Sequence, residues 1–361
     1  MTARDTIGQL LMVGFQGTEL SSEFIDWLQE YRPGGVILFS RNLVDPEQVA
    51  RLTNSLQEHA PNPPLLIAID QEGGRVSRLP QGFTIFPSAV SVAACQSTDV
   101  AYGVAEITAK ELRAVGINMN MAPVLDVNSN PANPIIGIRA YGDSPEQVCT
   151  FAMATMEGLR DNGVIPCGKH FPGHGDTTTD SHKVLPVVNA DRARLDAIEL
   201  APFRHAIGHG LPTIMTAHVH YPALDADAPA TLSRHILTDL LRNELGFQGV
   251  TLTDDMEMRA ILDHGSIGEA SVRSLQAGAD MVLICHQQDR QTEAVLAIEQ
   301  ALDRGELSMD DLMASADRIS ALKKTHLSTF QPVDPSQVSQ TVGIPPHKSF
   351  LGKIHRVAAR V

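Results

Sequence analysis

The strongest constraint in this chain is an alternation. Eight short, almost continuously apolar runs are each followed by a longer segment with helical spacing. The runs are QLLMVGF (9–15), GGVILF (34–39), LLIAID (65–70), NMNMAPVLD (118–126), IPCGKHF (165–171), LPTIMTAHV (211–219), GVTLTDD (249–255) and DMVLICH (280–286). A strand covered on both faces reads this way, because neither side of it meets water. Between the runs, segments such as SSEFIDWLQEY, PEQVARLTNSLQEHA, EQVCTFAMATMEGLRDNG and EASVRSLQAGA repeat apolar residues at helical intervals, and several close on a glycine suited to a helix C-terminus. This pattern predicts an α/β fold, a (β/α)8 TIM barrel over residues 1–328. A doubly wound sheet usually has fewer strands and a GxGxxG fingerprint after the first, which is missing here. Beyond the barrel, STFQPVDPSQVSQTVGIPPHK reads as a linker and KSFLGKIHRVAARV as a basic amphipathic stretch, so 329–361 is expected to be a short C-terminal tail.

Charge narrows the partners. Against 28 Lys+Arg stand 42 Asp+Glu, a formal net charge of −14, the wrong sign for neutralising phosphates, so neither nucleic acid nor an anionic membrane is expected as a partner. The start, MTARDTIGQLLMVGF, has no basic segment leading into a long apolar run, and no stretch reaches the roughly 20 apolar residues of a spanning helix. A cytoplasmic protein is expected. Cys95, Cys149, Cys167 and Cys285 lie far apart in or beside apolar segments and read as free thiols in the core, not as disulfides or zinc ligands.

In such barrels the chemistry lies at the C-terminal ends of the strands. Run three ends in Asp70 followed by QEGGRVSR, run four in Asp126, run five carries Lys169 and His170, run six His218, and run seven ends in Asp254 and Asp255. Five strands thus aim ionisable groups at one mouth. After run five, FPGHGDTTTDSHKVLP is longer than an ordinary βα loop and reads as a lid. Within it Asp180 and His182 are two apart, so in extended chain they share a face and the carboxylate can orient the imidazole for acid–base work near neutrality. An aspartate at a strand end can attack an anomeric carbon, but alternation sends Asp254 and Asp255 to opposite sides, one toward the pocket and one into structural hydrogen bonds. On the residues alone the two aspartates remain alternatives.

The motifs KHFPGHGDTTTDSH and TDDMEM resemble those of the family 3 glycoside hydrolases, specifically the NagZ-type β-N-acetylhexosaminidases. The resemblance extends over about residues 5–325 and includes DQEGGRVSR (70–78), PVLDVNSNPANPIIGIRAYG (123–142) and PATLS (229–233). It implies that Asp254 is the nucleophile of a retaining double displacement, that His182 paired with Asp180 is the acid/base, and that Asp70, Arg78, Arg139, Lys169 and His170 contact the sugar. It implies no metal and no cofactor. It also implies a small glycoside as substrate, a GlcNAc-containing muropeptide or disaccharide of cytosolic peptidoglycan recycling. The 4% aromatic content and the single Trp27 fit an exo-acting pocket better than a long groove lined with stacking platforms.

The sequence departs from the family pattern twice. Ile138 stands where many relatives have an aspartate directly before the arginine, so Arg139 lacks its neighbouring acid. The tail looks like the start of the second domain of longer family members. Other readings compete with the hexosaminidase: a phosphorylase, whose incoming phosphate an imidazole acid/base would not repel; a β-glucosidase on the same fold; a sugar-binding barrel without catalysis; and a metal-dependent hydrolase using His170, His174, His218 and His220.

Overall fold

The computed structural model describes residues 2–60, 63–181, 183–263, 265–327 and 331–358. In them each of the eight apolar runs contains a strand: β1 (Leu11–Val13), β2 (Gly35–Leu38), β3 (Leu66–Ile69), β4 (Met119–Asn120), β5 (Ile165–Phe171), β6 (Thr213–Thr216), β7 (Val250–Asp255) and β8 (Met281–Ile284). Every strand pairs in parallel with the next in sequence, and β8 returns to β1 with Leu11 opposite Val282, so the sheet closes into a (β/α)8 barrel. Residues of β1, β2, β3 and β8 are buried without alternation, because one face fills the barrel and the other lies under helices. β4 is much shorter than its apolar run. Its regular pairing stops at Asn120; Pro123 has no N–H to donate, and beyond it the contact with β5 continues as an isolated bridge between Val124 and Lys169 and single backbone hydrogen bonds.

The helices begin and end where their caps are written. Asp45 and Ser144 accept from the backbone N–H of the third residue, Gln48 and Gln147, of the helices Pro46–His59 and Pro145–Asp161, each of which opens on a proline whose missing N–H is no loss there. Ser266 and Glu269 close a reciprocal capping box on the helix Ile267–Ala277, which stops at Gly278 with φ at 114°. Trp27 is buried on the barrel's flank, between Phe24 and Tyr31, with its indole N–H donated to Thr292. All four cysteines are free; Cys167 and Cys285 are buried, whereas Cys95 and Cys149 are only partly covered. Among the described residues no helix is long and apolar enough to cross a membrane.

The tail returns across the barrel's side. Asn54 exchanges two hydrogen bonds with the backbone of Val333, and Val338 is buried. On the helix Pro345–Ala358, Ile354 packs with Phe86 and Ile107. Glu111 is the polar anchor. Its buried carboxylate accepts from the Thr84 N–H (2.8 Å), the Thr84 hydroxyl (2.7 Å) and the Gly343 N–H (2.9 Å), and Oε1 lies 2.7 Å from His347 Nδ1. Thr84 belongs to the long segment that follows β3, so the tail is tied to the same loop that carries residues of the barrel mouth.

Candidate active site

The C-terminal ends of the strands surround a cavity of about 340 Å³, near the low end of the roughly 300–1,000 Å³ usual for small-molecule sites. Asp70, Arg78, Arg139, Lys169, His170 and Asp254 all line it, so the structure brings together six of the eight residues singled out in the sequence. Asp180 lies one residue before Ser181, another lining residue, and its carboxylate is 4.0 Å from Lys183 Nζ. His182 lies outside the described residues.

Two register shifts make this mouth richer in polar groups than strand alternation allows. β5 is irregular between Gly168 and Phe171, and β7 between Leu252 and Asp255. An extra residue in a strand breaks the two-residue period, so neighbours can face one way. Lys169 and His170 both reach the cavity, and so do Asp254 and Asp255. The expectation that only one aspartate of the pair meets the pocket is corrected accordingly. The two remain different in bonding. Asp254 Oδ1 accepts only the Asp255 N–H (2.8 Å) within the pair, whereas Asp255 Oδ1 accepts the N–H groups of Glu257 (3.1 Å) and Cys285 (3.2 Å) and Oδ2 lies 3.3 Å from His286 Nε2. Burial pushes the Asp254 carboxyl upward, but the imidazoles of His218 and His170, the Asp255 amide and the Lys169 ammonium outweigh it and hold the group below the usual carboxylate range. Asp254 is therefore an anion aimed into a cavity, with a lone pair to give.

Opposite polar groups are held by a residue that the sequence reading passed over. Glu72 grips the Arg139 guanidinium with both oxygens, at 2.8 and 2.7 Å, and also takes the Lys169 ammonium at 2.7 Å. Lys169 reaches Asp70 at 2.6 Å, and Asp70 faces Arg78 at 3.6 Å. Burial opposes the charge on Glu72, yet Arg139 and Lys169 keep its carboxyl far below the ordinary range. The acid that position 138 lacks is thus supplied from the β3 loop, across the mouth, and Ile138 itself is exposed. Arg78 Nε is buried with no hydrogen-bond partner among the described residues, a donor available to a ligand hydroxyl.

The histidines are fixed one by one. Asp126, fully buried, accepts the backbone N–H groups of His170 (3.1 Å) and His174 (2.6 Å) on one oxygen and meets His170 Nδ1 at 2.7 Å with the other. The far nitrogen, His170 Nε2, lies 3.3 Å from an Arg139 N–H donor, so it presents a lone pair and Nδ1 carries the proton. His218 Nε2 lies 3.0 Å from the Asp255 carbonyl, which can only accept, and Nδ1 lies 2.8 Å from the Thr231 hydroxyl. His220 is bonded elsewhere, to the Asp225 carbonyl. The four imidazoles weighed as metal ligands thus have separate partners. Among the described residues, the group of ligand atoms close enough to hold an ion is instead Asp255, Glu257 and His286.

Burial pushes His174 down to about 4 from the ordinary 6.5, with His170 adding to the effect. The unfolded chain takes up this proton near pH 6.5, while the folded chain refuses it until about pH 4. Stability is therefore full above the unfolded value and is lost as pH falls through that window, by about 3 kcal/mol in all. His218, lowered by burial as well, adds to the same decline. Urea midpoints at pH 7.5 and 4.5 measure it, and His174→Gln should make the curve flatter.

The family model described as the glycosyl hydrolase family 3 N-terminal domain matches residues 2–322. The chain is 38% identical over 365 residues to Beta-hexosaminidase A of Pseudoalteromonas piscicida, covering 90% of this chain and 61% of that relative, so it spans less than two thirds of that protein. It is 43% identical over 295 residues to the Beta-hexosaminidase of Alkalilimnicola ehrlichii, covering 80% of this chain and 82% of the relative. Among solved structures, a glycoside hydrolase family 3 β-N-acetylglucosaminidase from a Paenibacillus species superposes with a TM-score of 0.94 at 42% identity, over 99% of this chain and 69% of that one.

Proposed function

The chain belongs to glycoside hydrolase family 3, and from that premise we propose that its pocket removes a terminal β-linked N-acetylglucosamine by a retaining double displacement. The observation that carries the reading is Asp254, a half-buried, ionised carboxylate at the end of β7 in a cavity whose other walls alternate cations and acids. In the first step an Asp254 oxygen attacks the anomeric carbon, the bond to the aglycone oxygen breaks, and His182 gives that oxygen its proton. In the second, His182 takes a proton from water, whose oxygen displaces Asp254 from C1 and restores the β configuration. Asp180 orients the imidazole and stabilises its charged form.

The sugar's hydroxyls each donate and accept, which suits a wall of paired opposites. Lys169, Arg78 and Arg139 supply donors, Asp70 accepts, and His170 Nε2 offers a lone pair. A buried donor without a partner, such as Arg78 Nε, is costly to leave unsatisfied, so a sugar lacking the matching hydroxyl is rejected. The small cavity and the position of Trp27 on the flank support action on chain ends. The names of the relatives and the NagZ-like motifs support an acetamido sugar, and a muropeptide or disaccharide released from peptidoglycan in the cytoplasm is the physiological substrate we favour.

The test is the initial rate of p-nitrophenol release from the β-N-acetylglucosaminide and from the β-glucoside, with the sugar product identified with and without phosphate. The acetamido sugar should win by at least about tenfold, the worth of one hydrogen bond in the transition state, and yield free N-acetylglucosamine in both buffers. A sugar 1-phosphate would make the enzyme a phosphorylase, and preference for the glucoside would make it a β-glucosidase.

A further inference from the structure

We infer that His174 is a positioning residue: through Ser181 it pins the arm of the β5–β6 loop that carries Asp180 and His182. The inference rests on the reading of His182 as the acid/base and adds the means by which its segment is held.

The near arm of this loop is built into the barrel. The His174 N–H is donated to Asp126 at 2.6 Å, and the Asn133 carboxamide nitrogen binds the carbonyls of His174 (2.9 Å) and Gly175 (3.0 Å). A side chain at Gly175 would run into the Val127 carbonyl, so only glycine lets the two backbones touch. The far arm has much less. Thr178, Thr179, Lys183 and Val184 are exposed, and Ser181, 2% exposed, is the buried point of that stretch among the described residues.

His174 joins the two arms. Its Nδ1 lies 2.9 Å from the Thr177 hydroxyl and its Nε2 lies 3.0 Å from the Ser181 hydroxyl. The Thr177 hydroxyl lies as well 3.1 Å from the His174 carbonyl and 3.1 Å from the Asn133 carboxamide nitrogen, so it is held from three sides. The imidazole thus bridges the Thr177 and Ser181 hydroxyls. The Ser181 carbonyl takes a second, longer bond from the Ala260 N–H at 3.3 Å. His174 also lines the cavity, edge-on to the His170 ring at 5.8 Å between centroids, and through Ser181 it acts on the residue beside His182. A misplacement of about 1 Å at an acting group costs on the order of 100-fold.

The experiment uses the full chain with Ser181→Ala, Ser181→Thr and His182→Ala, measuring kcat/KM on aryl β-N-acetylglucosaminides from p-nitrophenyl to unsubstituted phenyl. A good leaving group needs no acid, whereas phenol does. Ser181→Ala is expected to lose at least about tenfold on the phenyl glycoside and stay within about twofold on the p-nitrophenyl one. Ser181→Thr, which keeps the hydroxyl, should restore the phenyl rate. Equal losses on both substrates, or none on either, would overturn the inference, since a merely structural role does not distinguish leaving groups. If His182→Ala itself shows no leaving-group dependence, the acid reading falls and the inference falls with it. If His182→Ala shows it and Ser181→Ala does not, the positioning role alone is wrong.

Discussion

Replacing Asp254 with alanine is expected to abolish turnover of the aryl N-acetylglucosaminide, with a loss of roughly 10⁴-fold or more in kcat. Among the described residues no other carboxylate lining the cavity is free to take over. Asp70 and Glu72 are engaged by Lys169 and Arg139, and Asp255 is engaged by the N–H groups of Glu257 and Cys285. Azide provides the sharper readout. In the alanine variant a small anion can enter the face that the carboxylate has left and attack once, so the product is an α-glycosyl azide, of opposite anomeric configuration to the hydrolysis product. Asp255→Asn serves as the control. An asparagine oxygen can still accept both amides, so its loss should be far smaller than that of Asp254→Asn. If the two asparagine variants lose equally, or if azide gives the β product, Asp254 is not the nucleophile.

The barrel is legible in the sequence because parallel strands buried on both faces leave an unbroken apolar signature, and all eight runs contain one. The boundaries are less so: the run through Asp126 reads as one strand, but its regular pairing stops at Asn120, ahead of Pro123. The site is legible as a set of strand-end residues and not as a geometry. That Lys169 and His170 face one cavity depends on how β5 shifts against β6, a property of the pair of strands that neither strand's residues state. Arg139 is the clearest case. Its acid is missing at position 138, one residue away, whereas the carboxylate arrives from Glu72, which is 67 residues distant in the chain. The signal for it is an unexplained acid two residues past Asp70, in the same motif, together with an arginine that must be paired if it is buried.

That pairing makes Glu72→Ala the second large effect. The substitution removes one carboxylate from between two largely covered cations, leaving Arg139 with the Ile135 carbonyl at 3.4 Å and His170 Nε2 at 3.3 Å, and Lys169 with Asp70 alone. Breaking a buried pair from one side costs about 3–5 kcal/mol, because the partner's charge remains buried without compensation. Here the destabilisation and the loss of activity share a cause. Lys169 would draw on Asp70, Arg139 would move against His170 Nε2, and these four groups assigned to the sugar would be disturbed together. A fall of at least about 100-fold in kcat/KM is expected, alongside the lost stability in urea. Glu72→Gln separates the two contributions, since it keeps the shape and one acceptor but not the charge. If it is nearly as stable as the parent and still inactive, the charge at Glu72 sets the sugar-binding groups; if Glu72→Ala keeps both stability and activity, Glu72 is not the hub of this site.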